Sequence, residues 1–216
     1  MSRAIWTLIY DLQDEDKPLY LEWFHRVHMT EKLARKGYQW ASHYEASCSE
    51  SDTDKVSRFI AFFGGDSTST FLNPCPRQLK QTQDAETRSM MGLRSNSMAL
   101  ILNHEWSAEN NAIKAQLNTP IISEEITLAL LDTPGNNEIA GACCIQEIVA
   151  ENNSHARISK FSNIIDGMQH GLIFERDDTS IPHPIFRFEG ELGSLIRTPL
   201  EQRQMHATLI CHGAAS

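Results

Sequence analysis

Three segments of this chain are apolar on both of their faces, and that property narrows the folds open to it. Ala4 to Tyr10, Val56 to Phe63 and Met98 to Trp106 are rich in β-branched and aromatic residues and have the length of strands. Ile5, Ile9, Phe59, Ala61, Phe63 and Ile101 share one parity, while Trp6, Leu8, Ile60, Phe62, Leu100 and Leu102 share the other. Successive strand side chains point to opposite sides, so a sheet built from these segments is hydrophobic on both faces and needs a cover on each. Helices serve for one face. Two halves of the chain joined sheet to sheet into one barrel would serve for the other.

The first half parses as β-α-β-β-α-β, a ferredoxin-like order. Ala4 to Tyr10 ends at the acidic turn Asp11 to Asp16. Pro18 stands where a first-turn proline is tolerated, and Tyr20, Trp23, Phe24, Val27 and Ala34 recur at helical spacing as far as Lys36, a helix of about five turns. Gly37 stops it. Tyr38 to Ala46 is the second strand, Cys48 to Asp54 a polar hairpin loop, and Val56 to Phe63 a third strand closed by Gly64 and Gly65. Ser67 to Met91 is helical in pieces because Pro74 and Pro76 interrupt it, and Met98 to Trp106 is the fourth strand.

The second half reads as a fainter copy. Ile126 to Leu131 is expected as a strand, Asn137 to Glu151 as a helix with Ile139, Cys143 and Ile148 facing inward, and His155 to Ile165 as a strand. Leu172 to Arg176, a broken helix over Phe188 to Ile196 and Leu200 to Gln204, and a strand from Met205 to His212 complete it. The expectation is an α+β protein of tandem duplicated ferredoxin-like units that form an intramolecular dimeric α/β-barrel. Its halves are 1–109 and 124–216, with 110–123 as a connector broken at Thr119-Pro120. A single α+β domain of irregular order is the alternative.

Composition excludes some partners. A formal net charge of −9, with no cluster of Lys and Arg, is a poor match to nucleic acid or an anionic membrane surface. The N-terminal apolar run meets acidic residues at once, unlike a secretory leader, and no apolar run approaches membrane-spanning length; a cytoplasmic protein is expected. The five cysteines include the neighbours Cys143 and Cys144 but no C-x-x-C pair, so reduced, buried thiols are expected. Cys75, between Pro74 and Pro76, is the one worth probing as a nucleophile.

Chemistry concentrates between Leu19 and Glu45, which carry His25, His28 and His43. Imidazole titrates near neutral pH without help, which suits proton transfer. Glu22, His25, His28 and Glu31 form an E-x-x-H-x-x-H-x-x-E ladder. Each i,i+3 step lags by about 60° on a helix of 3.6 residues per turn, so the outer members diverge and no single ion is expected to be held. The i,i+4 histidine pair that a zinc helix uses is missing.

The run W-F-H-R-V-H-M-T-E-K-L followed by K-G-Y-Q-W-A-S-H-Y-E resembles the EthD-like members of the dimeric α/β-barrel superfamily. Trp23, Phe24, His28, Glu31, Leu33, Gly37, Tyr38, His43 and Tyr44 occupy the places of that pattern. Thr30 and Lys36 depart from it, since the family favours proline at both. The likeness covers roughly the first 65 residues. It implies a pocket between helix and sheet, in a superfamily whose members include cyclases, isomerases, lyases, quinone-forming monooxygenases and haem enzymes; fold alone does not choose among these.

On this reading His28 is the general acid or base, His43 its partner across the helix-strand gap, and Tyr44 or Tyr10 the donor that steadies an oxyanion. Trp23 and His25 shape the pocket, and Arg58 binds a substrate carboxylate or phenolate. For each residue a purely structural role is the competing reading. His170 and His206 are the conceivable haem ligands, though neither is expected to serve. In the second half Ala140, Gly141, Ala142 and Cys143 stand where the aromatic-histidine set would be, so one pocket per chain is expected. The expected activity is that of a cofactor-independent lyase, isomerase or cyclase on a hydrophobic carbonyl-bearing small molecule in secondary metabolism or aromatic degradation. It would work without metal, as a monomer or a homodimer of such chains. The alternatives are a non-catalytic small-molecule binder or accessory protein of an oxidative pathway, and a cofactor-free or haem-dependent oxygenase.

Overall fold

The structure is a computed structural model, which describes residues 2–47, 55–109, 112–114, 120–132, 139–150, 153–165, 168–169, 174–175, 196–197 and 202–215. It is a mixed α+β protein built on a curled antiparallel sheet. The first half follows the expected order: β1 (Ala4–Gln13), a helical stretch, β2 (Tyr38–Ala46), β3 (Val56–Gly65), the helices α3 (Ser69–Leu72), α4 (Pro76–Gln81) and α5 (Ala85–Gly92), and β4 (Ser95–Glu109). The first helical stretch consists of α1 (Lys17–Trp23), a π turn (Phe24–His28) and α2 (Met29–Leu33). Gly37 follows at φ +88, a left-handed conformation that favours glycine, with Thr70 packed where a Cβ would stand.

The connector contributes β5 (Ala112–Lys114) to the same sheet, and the second half β6 (Glu125–Asp132), β7 (Ile139–Ala150), β8 (Asn153–Ile165), β9 (Met168–Gln169) and β12 (Gln202–Ala214). β10 (Phe174–Glu175) and β11 (Ile196–Arg197) form a separate parallel pair. The helix expected at Asn137 to Glu151 is instead β7. Gly141 weakens a helix there, Ile145, Ile148 and Val149 favour extended backbone, and pairing with β6 and β8 supplies partners along both edges. Gln202 to Gln204, expected at the end of a helix, belong to β12. Most of Leu172 to Arg176 and Phe188 to Ile196, and the loop Cys48 to Asp54, lie outside the described residues. β6, β7 and β8 succeed one another antiparallel, so the described residues of this half do not repeat the β-α-β order of the first.

The halves join edge to edge. β4-β1-β3-β2 continues through β12-β6-β7-β8, and β8 returns to pair with β4. This closes a ring and leaves neither half with an open edge at those seams. Ile5, Ile9, Tyr44, Ile60, Phe62, Leu100, Leu102, Ile126, Leu128, Leu130 and Phe161 fill its inside. Trp6, Leu8, Tyr10, Phe59, Ala61, Phe63 and Ile101 lie on the outside, under the helices. Both faces are therefore apolar, as expected, but odd positions of β1 share a face with even positions of β3 and β4. The register causes this, because Ile5 pairs with Gly64 and Leu102. Gly64 is needed at that place, since the Trp40 indole lies 2.1 Å from where its Cβ would be. Each large side chain buried this way contributes about 1.5–3 kcal/mol. No helix of the described residues is long and apolar enough to cross a membrane.

Candidate active site

The π turn decides what the first helical stretch buries. A regular helix would continue the buried row Tyr20, Trp23, Phe24 through Val27 and Glu31. Met29 instead donates its backbone N–H to the carbonyl of Phe24, five residues back, and the helix gains one residue in that turn. Beyond it the buried row runs through His28, Met29 and Lys32, while Val27 is only half-buried and Glu31 is exposed. One surplus residue thus swings an imidazole and an ammonium onto the sheet.

His28 is 3% exposed and neither ring nitrogen has a hydrogen-bond partner among the described residues. Its ring lies 4.9 Å from that of Trp23 and 5.3 Å from Phe24. Burial, with the positive charges of Lys32, Arg94 and Arg35, holds its pKa well below the usual histidine value, so it is a neutral base at pH 7. Lys32 is 5% exposed, with its ammonium 4.8 Å over the Trp6 ring. Burial first, then Arg35 and Arg94, bring its pKa down to about 7. Among the described residues the indole N–H groups of Trp6 and Trp23 are buried without partners, as is one terminal nitrogen of Arg94.

His43 forms the second part of the site. It projects from β2 toward the helices, fully buried, with Nε2 2.7 Å from the Tyr10 hydroxyl and Nδ1 2.9 Å from Nε2 of His25. Phe24 packs on it at 4.5 Å. Burial, then His25 and Arg94, depress its pKa strongly, and burial also lowers that of His25. Tyr10 is pushed the other way by burial and so stays a phenol. Arg94 spreads over the Tyr10 ring at 4.2 Å and donates through Nε to the Tyr20 hydroxyl. Guanidinium, phenols and imidazoles therefore form a buried chain that ends at half-buried His25.

Of the residues expected from sequence, the structure brings together Tyr10, His25 and His43 in this chain, and Trp23 against His28. His28 and His43 each pack on Phe24, but the hydrogen-bonding partners of His43 are His25 and Tyr10, not His28. Tyr44 departs from the expectation: as the neighbour of His43 on a strand it faces the inside of the barrel, where its hydroxyl donates to the Ser123 carbonyl at 3.1 Å. Arg58 is also elsewhere, held by a two-pronged ion pair to Asp11 at 2.7 and 2.9 Å. Glu22 of the ladder pairs with Arg26 at 3.2 Å, on the exposed side of the helix. Among the described residues no group of three His, Cys, Asp or Glu is arranged to hold a metal ion.

His206 on β12 has Nδ1 2.8 Å from the Thr127 hydroxyl, and His170 lies outside the described residues. Cys75 begins α4 in a reciprocal cap with Gln78. Sequence reasoning passed over Lys32 and Arg94. Lys32 looks like an exposed helix lysine until the π turn is known, and Arg94 is a lone arginine between α5 and β4 that no local pattern marks.

No protein-family model matches this chain. No curated protein matches it either. Solved structures do. An anthrone oxidase-like protein superposes with a TM-score of 0.51 at 8% identity, over 100% of this chain and 94% of the other. Two structures that carry a provisional monooxygenase name also align. The one from Lactobacillus acidophilus does so at TM-score 0.41 and 7% identity, over 99% and 97% of the two chains. The one from Fusobacterium nucleatum does so at 0.38 and 9%, over 99% and 96%. What the chain shares with the anthrone oxidase-like protein is its fold, a mixed α+β arrangement with few helices around a curled antiparallel sheet.

Proposed function

We propose that this chain is a cofactor-independent oxygenase: it deprotonates a hydrophobic aromatic carbon acid between the helices and the sheet, and the carbanion then reacts with dioxygen. The observation that carries this reading is His28, a buried neutral imidazole with both nitrogens unpartnered, walled by Trp23 and Phe24 and faced by cationic groups. A dry imidazole beside positive charge is suited to take a proton from a methylene next to a carbonyl, because the anion formed is stabilised where it appears. The anthrone oxidase-like name of a structure with the same fold points to such a substrate class.

The electrons come from the substrate itself. His28 removes one proton, and the carbanion gives an electron to dioxygen. Superoxide and the carbon radical combine to a peroxide. His28 returns its proton to the distal peroxide oxygen and then takes the remaining proton from the same carbon as the O–O bond breaks, leaving a ketone and hydroxide, which takes that proton from His28 and departs as water. A methylene and one dioxygen thus become a carbonyl and one water. The Tyr10-His43-His25 chain offers a route by which a proton moves between the buried phenol and the half-buried end of the chain.

An oxygen electrode with anthrone as probe tests the reading. Uptake of one dioxygen per anthrone, reduced at least about 100-fold in His28→Ala with circular dichroism unchanged, is the expected result. Turnover that continues under argon would move the protein to the lyase or isomerase class, and full oxygen uptake by His28→Ala would remove that imidazole from the chemistry.

A further inference from the structure

The groups gathered around His28 are unbalanced in one direction. Trp6 and Trp23 each present a buried indole N–H, Arg94 presents a buried N–H on a terminal nitrogen, and Lys32 adds an ammonium, while no carboxylate is among them. The acid acting on Lys32 is Glu31, which is exposed. Buried donors are almost always paired in folded proteins, and a buried charge more so. These groups lie on a continuous belt. Lys32 covers the Trp6 ring, Lys32 and His28 are one turn apart on the same buried row, His28 packs on Trp23, Trp23 on Tyr20 at 5.6 Å, and Tyr20 receives the Arg94 hydrogen bond. The side chains between the donors are flat: two indoles, a phenol and Phe24.

We infer that the space between α1, α2 and the outer face of β1 is an oxyanion-binding site for a planar aromatic ligand, with Trp6, Trp23, Lys32 and Arg94 holding the negatively charged oxygen and the aromatic walls holding the ring. The site deepens the function proposed above and rests on that region being where substrate binds. It names the form bound, an aromatic phenolate, enolate or carboxylate rather than a neutral ketone. Lys32, with its pKa near 7, becomes fully protonated when an anion sits beside it, so binding near pH 8 takes up a proton. Arg35 and Arg94 add positive charge there, and Glu31 opposes it.

Calorimetric titration with unreactive probes tests this without oxygen or turnover, so its failure is separate from failure of the oxygenation. Benzoate and 2-naphthoate are compared with their neutral amides on the intact chain. At least about tenfold preference for the acid is expected, as is usual for charge-assisted hydrogen bonds in a buried site. Lys32→Met and Trp23→Phe should each lower acid binding several-fold more than amide binding. The wild-type comparison decides the matter if a variant does not fold. Equal binding of acid and amide, or a preference untouched in both variants, would overturn the assignment.

Discussion

His28 and His104 are both buried imidazoles with depressed pKa values, yet they sit in regions that treat polar groups in opposite ways. His104 is on the inside of the barrel. Its Nε2 meets the Ser107 hydroxyl at 2.7 Å, and Ser107 meets Ser159 at 2.7 Å across the β4–β8 seam. Burial and Arg157 bring its pKa to about 4. Around it the Tyr44 hydroxyl and the Arg157 guanidinium reach carbonyls of Ser123 and Pro120. What is unpartnered on β1 and β2 there is hydroxyl, at Thr7 and Ser42. Under the helices the unpartnered groups are imidazole, indole and guanidinium. The inside spends its polar groups on holding the two halves together. The outside keeps them available, and available buried donors are a property of sites rather than of cores.

Exchanging the two histidines' roles should be the sharpest way to break this contrast. His28→Ala is expected to lower turnover about 100-fold or more with little loss of stability, whereas His104→Ala should leave kcat within about twofold and cost about 1–3 kcal/mol in urea unfolding, because a buried hydrogen bond to Ser107 is lost and Ser159 remains its one hydroxyl partner. If His104→Ala abolished turnover at full stability, the barrel interior would be the site instead. Lys32→Met comes next. It replaces a buried cation by an apolar chain of similar length, so it should raise stability by about 1–3 kcal/mol at pH 7 while weakening anion binding, the trade expected of a functional group.

Smaller effects follow from pH. Lys32 has a folded pKa of about 7 against an ordinary value of 10.5, so between these limits the unfolded chain binds more protons and stability rises with pH. His28 and His43 are depressed below 6.5, so their contribution is present above that value and is lost as the pH falls toward their folded values. Denaturant midpoints measured from pH 5 to 9 should therefore climb throughout. Lys32→Met should flatten the climb above pH 7, and His43→Gln should flatten it below 6.5. Tyr10→Phe removes one hydrogen bond from His43 and should cost about 1 kcal/mol. Arg58→Ala, breaking a half-exposed ion pair outside the site, should change stability by at most about 1 kcal/mol and turnover not at all.

The first half was legible because its strands carry two apolar faces and its turns carry glycine and proline in places that local chemistry explains. His25, His28, His43 and Tyr10 were legible as candidates because histidine and buried tyrosine are conspicuous in an apolar setting. Strand alternation separates Tyr44 from His43, whereas the family-like spacing that picks out both says nothing of the face each takes. Along β7 the residues Ile139, Cys143 and Ile148 fit a helical spacing, and only pairing with β6 and β8 overrides it. Lys32 and Arg94 were invisible for another reason. Their burial depends on a local irregularity in one case and on tertiary docking in the other, and neither leaves a mark in composition or periodicity.

The hydrogen bond from Met29 back to Phe24 makes the site a matter of counting as much as of chemistry. Each residue in a regular helix turns the chain by about 100°. Were this turn to become regular α-helix at unchanged length, His28 and Lys32 would rotate by about 100° away from the sheet, whereas deleting Val27 would remove the surplus residue and leave both on the buried row. A chain one residue shorter here would carry the same buried imidazole and ammonium on an uninterrupted helix, so the π turn, not the length of the segment, is what this sequence needs to present them.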